Sequence, residues 1–144
     1  MERRDFIATL GAVAAAATVS SARAEEGKKV AHHHPPKYKA LSDAAAKCVL
    51  EGNNCLRHCF GMLSMDDSSM AECTKATFET IAACAALESL SSTNSNFTPA
   101  MAKVVAGVCE ACKKECDKFP EVAECNAMGA ACKACADECK KIAA

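Results

Sequence analysis

Residues 109–139 read CEACKKECDKFPEVAECNAMGAACKACADEC, and the spacing of the cysteines in this stretch decides the fold. The pattern C-x2-C-x3-C at Cys109, Cys112 and Cys116 returns at Cys132, Cys135 and Cys139, with Cys125 between the two triplets. On an α-helix, positions i, i+3 and i+7 lie on one face, so each triplet forms a stripe of sulfur. Phe119-Pro120 interrupts the run, because the residue before a proline is steered out of the helical region. Two antiparallel helices are expected here, their thiols turned toward one interior.

The same spacing extends toward the N-terminus. Leu41, Ala45, Cys48, Gly52, Cys55, Cys59 and Met62 follow one another at steps of four and three residues, an unbroken seam on one helical face. Asp66-Asp67-Ser68 reads as the end of that helix and the cap of the next. Met70, Cys73, Thr77, Thr80, Cys84 and Leu87 form the second seam, with Ile81 beside it. Ser42 or Asp43 is a candidate cap for the first helix, which begins near Lys39. The polar stretch 91–99 reads as a loop, and Thr98-Pro99 as an N-cap followed by proline in the first turn. The third seam is Ala102, Val105, Cys109, Cys112, Cys116 and Phe119. The fourth is Val122, Cys125, Met128, Cys132, Cys135, Cys139 and Ile142. Four helices with short links predict an all-α, antiparallel four-helix bundle over residues 39–144.

All 12 cysteines fall on inner positions of these seams. Cysteine also packs as a small buried hydrophobe, which accounts for one or two core cysteines but poorly for a dozen. Leucine, isoleucine and phenylalanine, the usual filling of a bundle core, are scarce beyond residue 24. Alanine and cysteine supply most of the apolar fraction, so the core is expected to depend on what its sulfur binds.

The opening residues read differently. Arg3-Arg4 stands before Phe6-Ile7, an Ala/Val run follows, and Ala22-Arg23-Ala24 has the form of a cleavage site. Residues 1–24 are expected to be a twin-arginine leader, removed on export to the periplasm or otherwise out of the cytoplasm. The apolar run is too short to remain as a transmembrane helix. Residues 25–38, with His32–His34 and Pro35-Pro36, read as a flexible N-terminal arm. The formal net charge is −1, with a single tyrosine and no tryptophan. No basic patch interleaved with aromatics appears, so nucleic acid is not an expected partner. No serine–histidine–aspartate set, paired carboxylate pocket or phosphate loop appears either, and the chain is not expected to be an enzyme.

Inward thiols at this density admit several chemistries. Disulfides between helices would make a stapled structural bundle. Within one helix, neighbouring inward Cβ atoms lie too far apart for an unstrained bridge. Zinc takes closed sets of four ligands, usually on short knuckles in loops, and iron–sulfur clusters use looped cysteine runs. Two facing helices could still close such a site, which leaves a zinc or heavy-metal thiolate buffer as an alternative. A thiol oxidoreductase would place C-x2-C exposed at a helix start, whereas these pairs lie mid-helix. Cu(I) is soft, takes thiolate and thioether ligands, and accepts two-coordinate sites that a rigid helix pair can supply. If each copper takes two thiolates and each thiolate bridges two coppers, metals and thiolates are equal in number, on the order of 12 Cu(I) ions.

One end of the bundle carries softer neutral donors. His58, Met62 and Met65 fall at i, i+4 and i+7 at the end of the first helix, and Met70 opens the second. Methionines at helical spacing are ordinary packing in most proteins; beside a thiol-lined core they also suit weak, exchangeable Cu(I) binding.

With these residues in view, the sequence resembles the cysteine-rich four-helix-bundle copper storage proteins of bacteria, above all the exported branch with a twin-arginine leader. The likeness rests on CLRHCFGMLSM (55–65), ECTKAT (72–77), FTPAMAKVVAGVCEACKKECDKFP (97–120) and CKACADEC (132–139). The resemblance implies a core binding many Cu(I) ions, a homotetramer, and a His/Met mouth at His58, Met62, Met65 and Met70. It assigns metal binding to Cys48, Cys55, Cys59, Cys73, Cys84, Cys109, Cys112, Cys116, Cys125, Cys132, Cys135 and Cys139. A copper-requiring enzyme or a copper carrier would receive the metal. Relatives tend to have C-x2-C where this chain has Cys125-x-x-Met128. A thioether bridges metals poorly, so a slightly lower capacity is expected near Met128.

Overall fold

A computed structural model describes residues 33–143. The leader expected over 1–24, the first part of the arm and His32 lie outside the described residues. Four helices follow in order: α1 (Lys39–Leu63), α2 (Ala71–Ser92), α3 (Thr98–Cys116) and α4 (Ala123–Ile142). Helix α1 packs against α2 and α4, and α3 packs against the same two, so the helices stand at the corners of a square. Short links make chain neighbours antiparallel. The C-terminal ends of α1 and α3 and the N-terminal ends of α2 and α4 therefore share one end of the bundle.

The buried faces are the seams read from the sequence. Leu41, Ala45, Cys48, Gly52, Cys55 and Cys59 are buried on α1, and Cys73, Thr77, Thr80, Cys84 and Leu87 on α2. Ala102, Val105, Cys109, Cys112 and Cys116 are buried on α3, and Cys125, Met128, Cys132, Cys135 and Cys139 on α4. Met62, Phe119, Val122 and Ile142, at the ends of the seams, are partly buried against this core. Leu41, Leu87 and Val105 close the end of the bundle where α1 begins. Burial of each leucine there contributes about 1.5–3 kcal/mol. Toward the other end, sulfur takes the place of aliphatic carbon.

The helix ends differ in detail from the sequence expectation. Tyr38 is the N-cap of α1, so Ser42 and Asp43 lie inside the first turns rather than at a cap. Ser42 Oγ instead meets Ser92 Oγ of α2 at 2.7 Å, and Lys39 pairs with Asp43 at 2.6 Å. Met70 is the N-cap of α2; the Asp67 carboxylate accepts from the Ser69 backbone N–H at 2.8 Å within the preceding turn. Phe97 caps α3, and the Thr98 hydroxyl donates to the Leu90 carbonyl at 3.1 Å, tying the end of α2 to the start of α3. The end of the expected arm is held: Asn94 accepts from the Lys37 N–H at 2.8 Å and donates to the Pro35 carbonyl at 3.1 Å. Asn94 itself has φ 54°, a left-handed conformation that asparagine tolerates better than most residues.

Candidate metal centre

Every cysteine of the chain is at most 1% exposed, and all twelve are free thiols. Across helices, the Sγ atoms of Cys84 and Cys109 lie 3.8 Å apart and those of Cys73 and Cys116 lie 3.9 Å apart. These are contacts between unbonded atoms, since a disulfide brings its sulfurs to about 2.05 Å. The separation instead suits two sulfurs that share a metal ion.

Folding gathers thiols that are far apart in sequence. Cys48 of α1, Cys84 of α2, Cys109 of α3 and Cys135 of α4 place their Sγ atoms within 4.8 Å of one another. All four helices thus contribute one sulfur each to a single buried set. Nearer the other end, Cys55, Cys59 and Cys73 bring their sulfurs within the same distance. Cys116 reaches Cys73, while Cys132 lies among Cys109, Cys112 and Cys48. Cys139 adjoins Cys135, and Cys125 faces Cys55 and Cys73.

The protonation of this core follows from crowding. A few thiols are helped to ionise by neighbouring S–H donors. Cys116, then Cys55, hold Cys73 down to about 2; Cys116 and Cys132 hold Cys112 down to about 3. Cys109 and Cys132 hold Cys48 down to about 5, and Cys109 with Cys139 lowers Cys135. The donors bear the opposite effect. Cys109 and Cys135 push Cys84 up, Cys112 and Cys55 push Cys116 up, and Cys109 and Cys112 push Cys132 up. Cys135 pushes Cys139 up, and burial does so for Cys125. A buried cluster of this kind supports few negative charges by itself. Monovalent cations entering it would supply the missing charge and displace the remaining protons.

Sequence reasoning missed two residues at the site. The buried Thr77 hydroxyl lies 3.8 Å from Cys55 Sγ, 4.0 Å from Cys73 Sγ and 3.7 Å from Cys112 Sγ. Its place on the α2 seam was legible; its three sulfur neighbours, from three helices, were not. Glu124, in the first turn of α4, is the second. Its Oε2 lies 4.0 Å from His58 Nδ1, and its Oε1 lies 3.5 Å from Arg57 Nη2. No local pattern links residues 58 and 124.

The histidine and methionines of the expected mouth differ in exposure. His58 Nε2 is buried and has no hydrogen-bond partner among the described residues. Met62 is partly buried against the core, and Met70 is buried at 3% exposure. Met65 is 67% exposed, because α1 ends at Leu63 and leaves it in the turn. His33 and His34 are exposed. Met128 is fully buried on the α4 seam.

A family model described as copper storage protein matches residues 34–144. Among solved structures, the chain is similar to apo-Csp3, copper storage protein 3 from Bacillus subtilis, with a TM-score of 0.65 and 28% identity. That match covers 74% of this chain and 98% of the other. The Cu(I)-bound copper storage protein BsCsp3 matches with a TM-score of 0.64 and 28% identity, covering 74% of this chain and 97% of that one. No curated protein sequence matches.

Proposed function

The chain belongs to the copper storage protein family and binds multiple Cu(I) ions in its cysteine-lined core, and we propose that the metal enters and leaves at the His58 end of the bundle. The observation that carries storage is the burial of all twelve thiols on the inner faces of four helices. Its role is storage rather than catalysis.

The geometry supports an assignment of individual ligands. The twelve cysteines are the thiolate donors, and His58, Met62, Met65 and Met70 are the neutral donors of the mouth. The unpartnered, buried Nε2 of His58 supports this assignment, since a ring nitrogen left free in a core suits metal binding. Glu124 faces the other ring nitrogen, as carboxylates behind metal-binding histidines do. The exposure of Met65 makes it the outermost donor, the first to meet copper from solvent or from a carrier.

The wider setting is also a proposal. The twin-arginine form of residues 3–7 supports export of the folded chain, with removal of residues 1–24. Exposed Phe78, Phe97 and Val104 support association of copies into a homotetramer. The recipient would be a copper carrier or a copper-requiring enzyme. No helix among the described residues is long and apolar enough to cross a membrane. Light scattering on the purified protein and N-terminal sequencing of the exported form check assembly and cleavage.

The deciding experiment is an anaerobic Cu(I) titration of the reduced protein against a competing chelator. Uptake of about one copper per thiol is expected. Uptake of only one or two ions would overturn storage in favour of a carrier. Saturation by a single zinc at Cys48, Cys84, Cys109 and Cys135, with no further copper bound, would favour a zinc site.

A further inference from the structure

The thiols do not line the core evenly. The four-helix set of Cys48, Cys84, Cys109 and Cys135 and the set of Cys55, Cys59 and Cys73 occupy different levels of the bundle. Between those levels, two of the four helices present no sulfur. The α1 seam passes from Cys48 to Cys55 through Gly52, and the α2 seam from Cys84 to Cys73 through Thr80 and Thr77. All three intervening residues are buried.

This gap is built into the packing. A Cβ on Gly52 would lie 2.5 Å from Ile81 Cγ1 and 3.5 Å from Met128 Cε, so a cysteine there would force Ile81 to shift. Thr80 turns its hydroxyl back to the Ala76 carbonyl at 2.8 Å. Thr77 sets its hydroxyl among Cys55, Cys73 and Cys112. A neutral hydroxyl is a poor ligand for soft Cu(I), which selects thiolate and thioether sulfur. Thiols at this level come from α3 and α4 alone, as Cys112 and Cys132. Met128 of α4 reaches across to Gly52, so a neutral thioether rather than a thiol fills the α1 wall at this level.

We propose that the core is two copper stores in series, an inner one at Cys48, Cys84, Cys109 and Cys135 and an outer one at Cys55, Cys59 and Cys73, joined by a one-sided waist at Cys112 and Cys132. Thr77 holds the boundary on the opposite wall. The inference rests on the copper storage reading and adds an internal order to it. The outer store exchanges with solvent through the His58 end, while inner copper must first cross the waist. A core with sulfur on all four walls would pass copper along several parallel routes; here one wall carries the traffic.

The test uses the full chain, reduced, loaded with Cu(I) without oxygen and then challenged with a Cu(I) chelator. Copper release is followed optically, while alkylation and peptide mass spectrometry record which thiols become free. Two phases are expected, differing in rate by at least about tenfold, which corresponds to about 1.4 kcal/mol of barrier. Cys55, Cys59 and Cys73 become alkylated in the fast phase, and Cys48, Cys84, Cys109 and Cys135 in the slow one. T77C, which places a thiol on the bare wall, is expected to bring the phases together, whereas T77V keeps them apart. C112S narrows the waist and should slow the inner phase alone, a readout that stands if T77C fails to fold. A single phase in the unaltered protein, or thiols of both sets freed at equal rates, would overturn the two stores. Two phases that neither T77C nor C112S alters would overturn the waist. Uptake of only one or two coppers would instead show at the loading step and overturn the storage reading beneath both.

Discussion

Cys84 Sγ of α2 stands 3.8 Å from Cys109 Sγ of α3, with no bond between them and no access to solvent. The pair shows how this bundle uses cysteine. Each sulfur does the packing work of a small apolar side chain while keeping its lone pairs directed at other sulfurs. A core filled by leucine could bind no metal.

Removal of one inner sulfur should therefore cost metal before it costs fold. Cys135→Ser is expected to lower Cu(I) capacity by about one ion, given roughly one copper per thiolate. Cys112→Ser should do the same. Far-UV circular dichroism should remain close to that of the unaltered chain, because the helices also hold their aliphatic and alanine contacts. A collapse of helicity in the metal-free variant would show that the thiols are structural first.

The mouth should reveal itself in rates. His58→Ala and Met62→Ala are expected to slow copper loading and release several-fold while lowering capacity by no more than about one ion. Met65→Ala, at a side chain 67% exposed, should have a smaller effect on release than on capture from a carrier. Stopped-flow exchange with a Cu(I) chelator measures both directions. Loss of most of the bound copper in Met62→Ala would place that residue inside the store.

Two glycines should respond in opposite senses to alanine. At Gly107, exposed within α3, an added Cβ meets nothing within 4 Å. Gly107→Ala is expected to stabilise the protein by about 0.5–1 kcal/mol through helix propensity. At Gly52 the added Cβ would lie 2.5 Å from Ile81 Cγ1, and overpacking of this kind costs about 1–3 kcal/mol. Gly52→Ala should lower the melting temperature, and Ile81→Ala in the same chain should recover part of it. Thermal unfolding of the metal-free protein distinguishes the two.

Alkaline pH should weaken the empty bundle. The thiols of Cys84, Cys116, Cys132, Cys139 and Cys125 are raised in the fold, the first four chiefly by neighbouring cysteines and Cys125 by burial. A raised group stabilises the fold fully below its unfolded pKa, about 8.5 for cysteine, and loses that contribution as pH climbs toward the folded value. Stability of the metal-free protein should thus decline above about pH 8.5. Copper-loaded protein should show little of this decline, since its thiols have already given up their protons. Denaturant melts at pH 8 and 10, with and without Cu(I), provide the check.

The sequence by itself determined which residues face inward. Steps of three and four along each segment put Cys48, Cys84, Cys109 and Cys135 on buried stripes, because helical periodicity is a local property of the chain. The breaks at Pro120 and in the polar stretch near Asn94 separated the helices for equally local reasons. Helix caps were read less well: α1 begins before Ser42, since tertiary contacts such as Ser42 with Ser92 claimed the side chain expected to cap it. What only the tertiary structure decided is the axial register of one helix against another. That register depends on how α1 settles on Ile81 and Met128 at Gly52, and on how Thr98 ties α3 to the end of α2. It brings Cys48 to Cys135, Glu124 to His58, and Thr77 to three sulfurs, pairings between distant residues that no periodicity encodes.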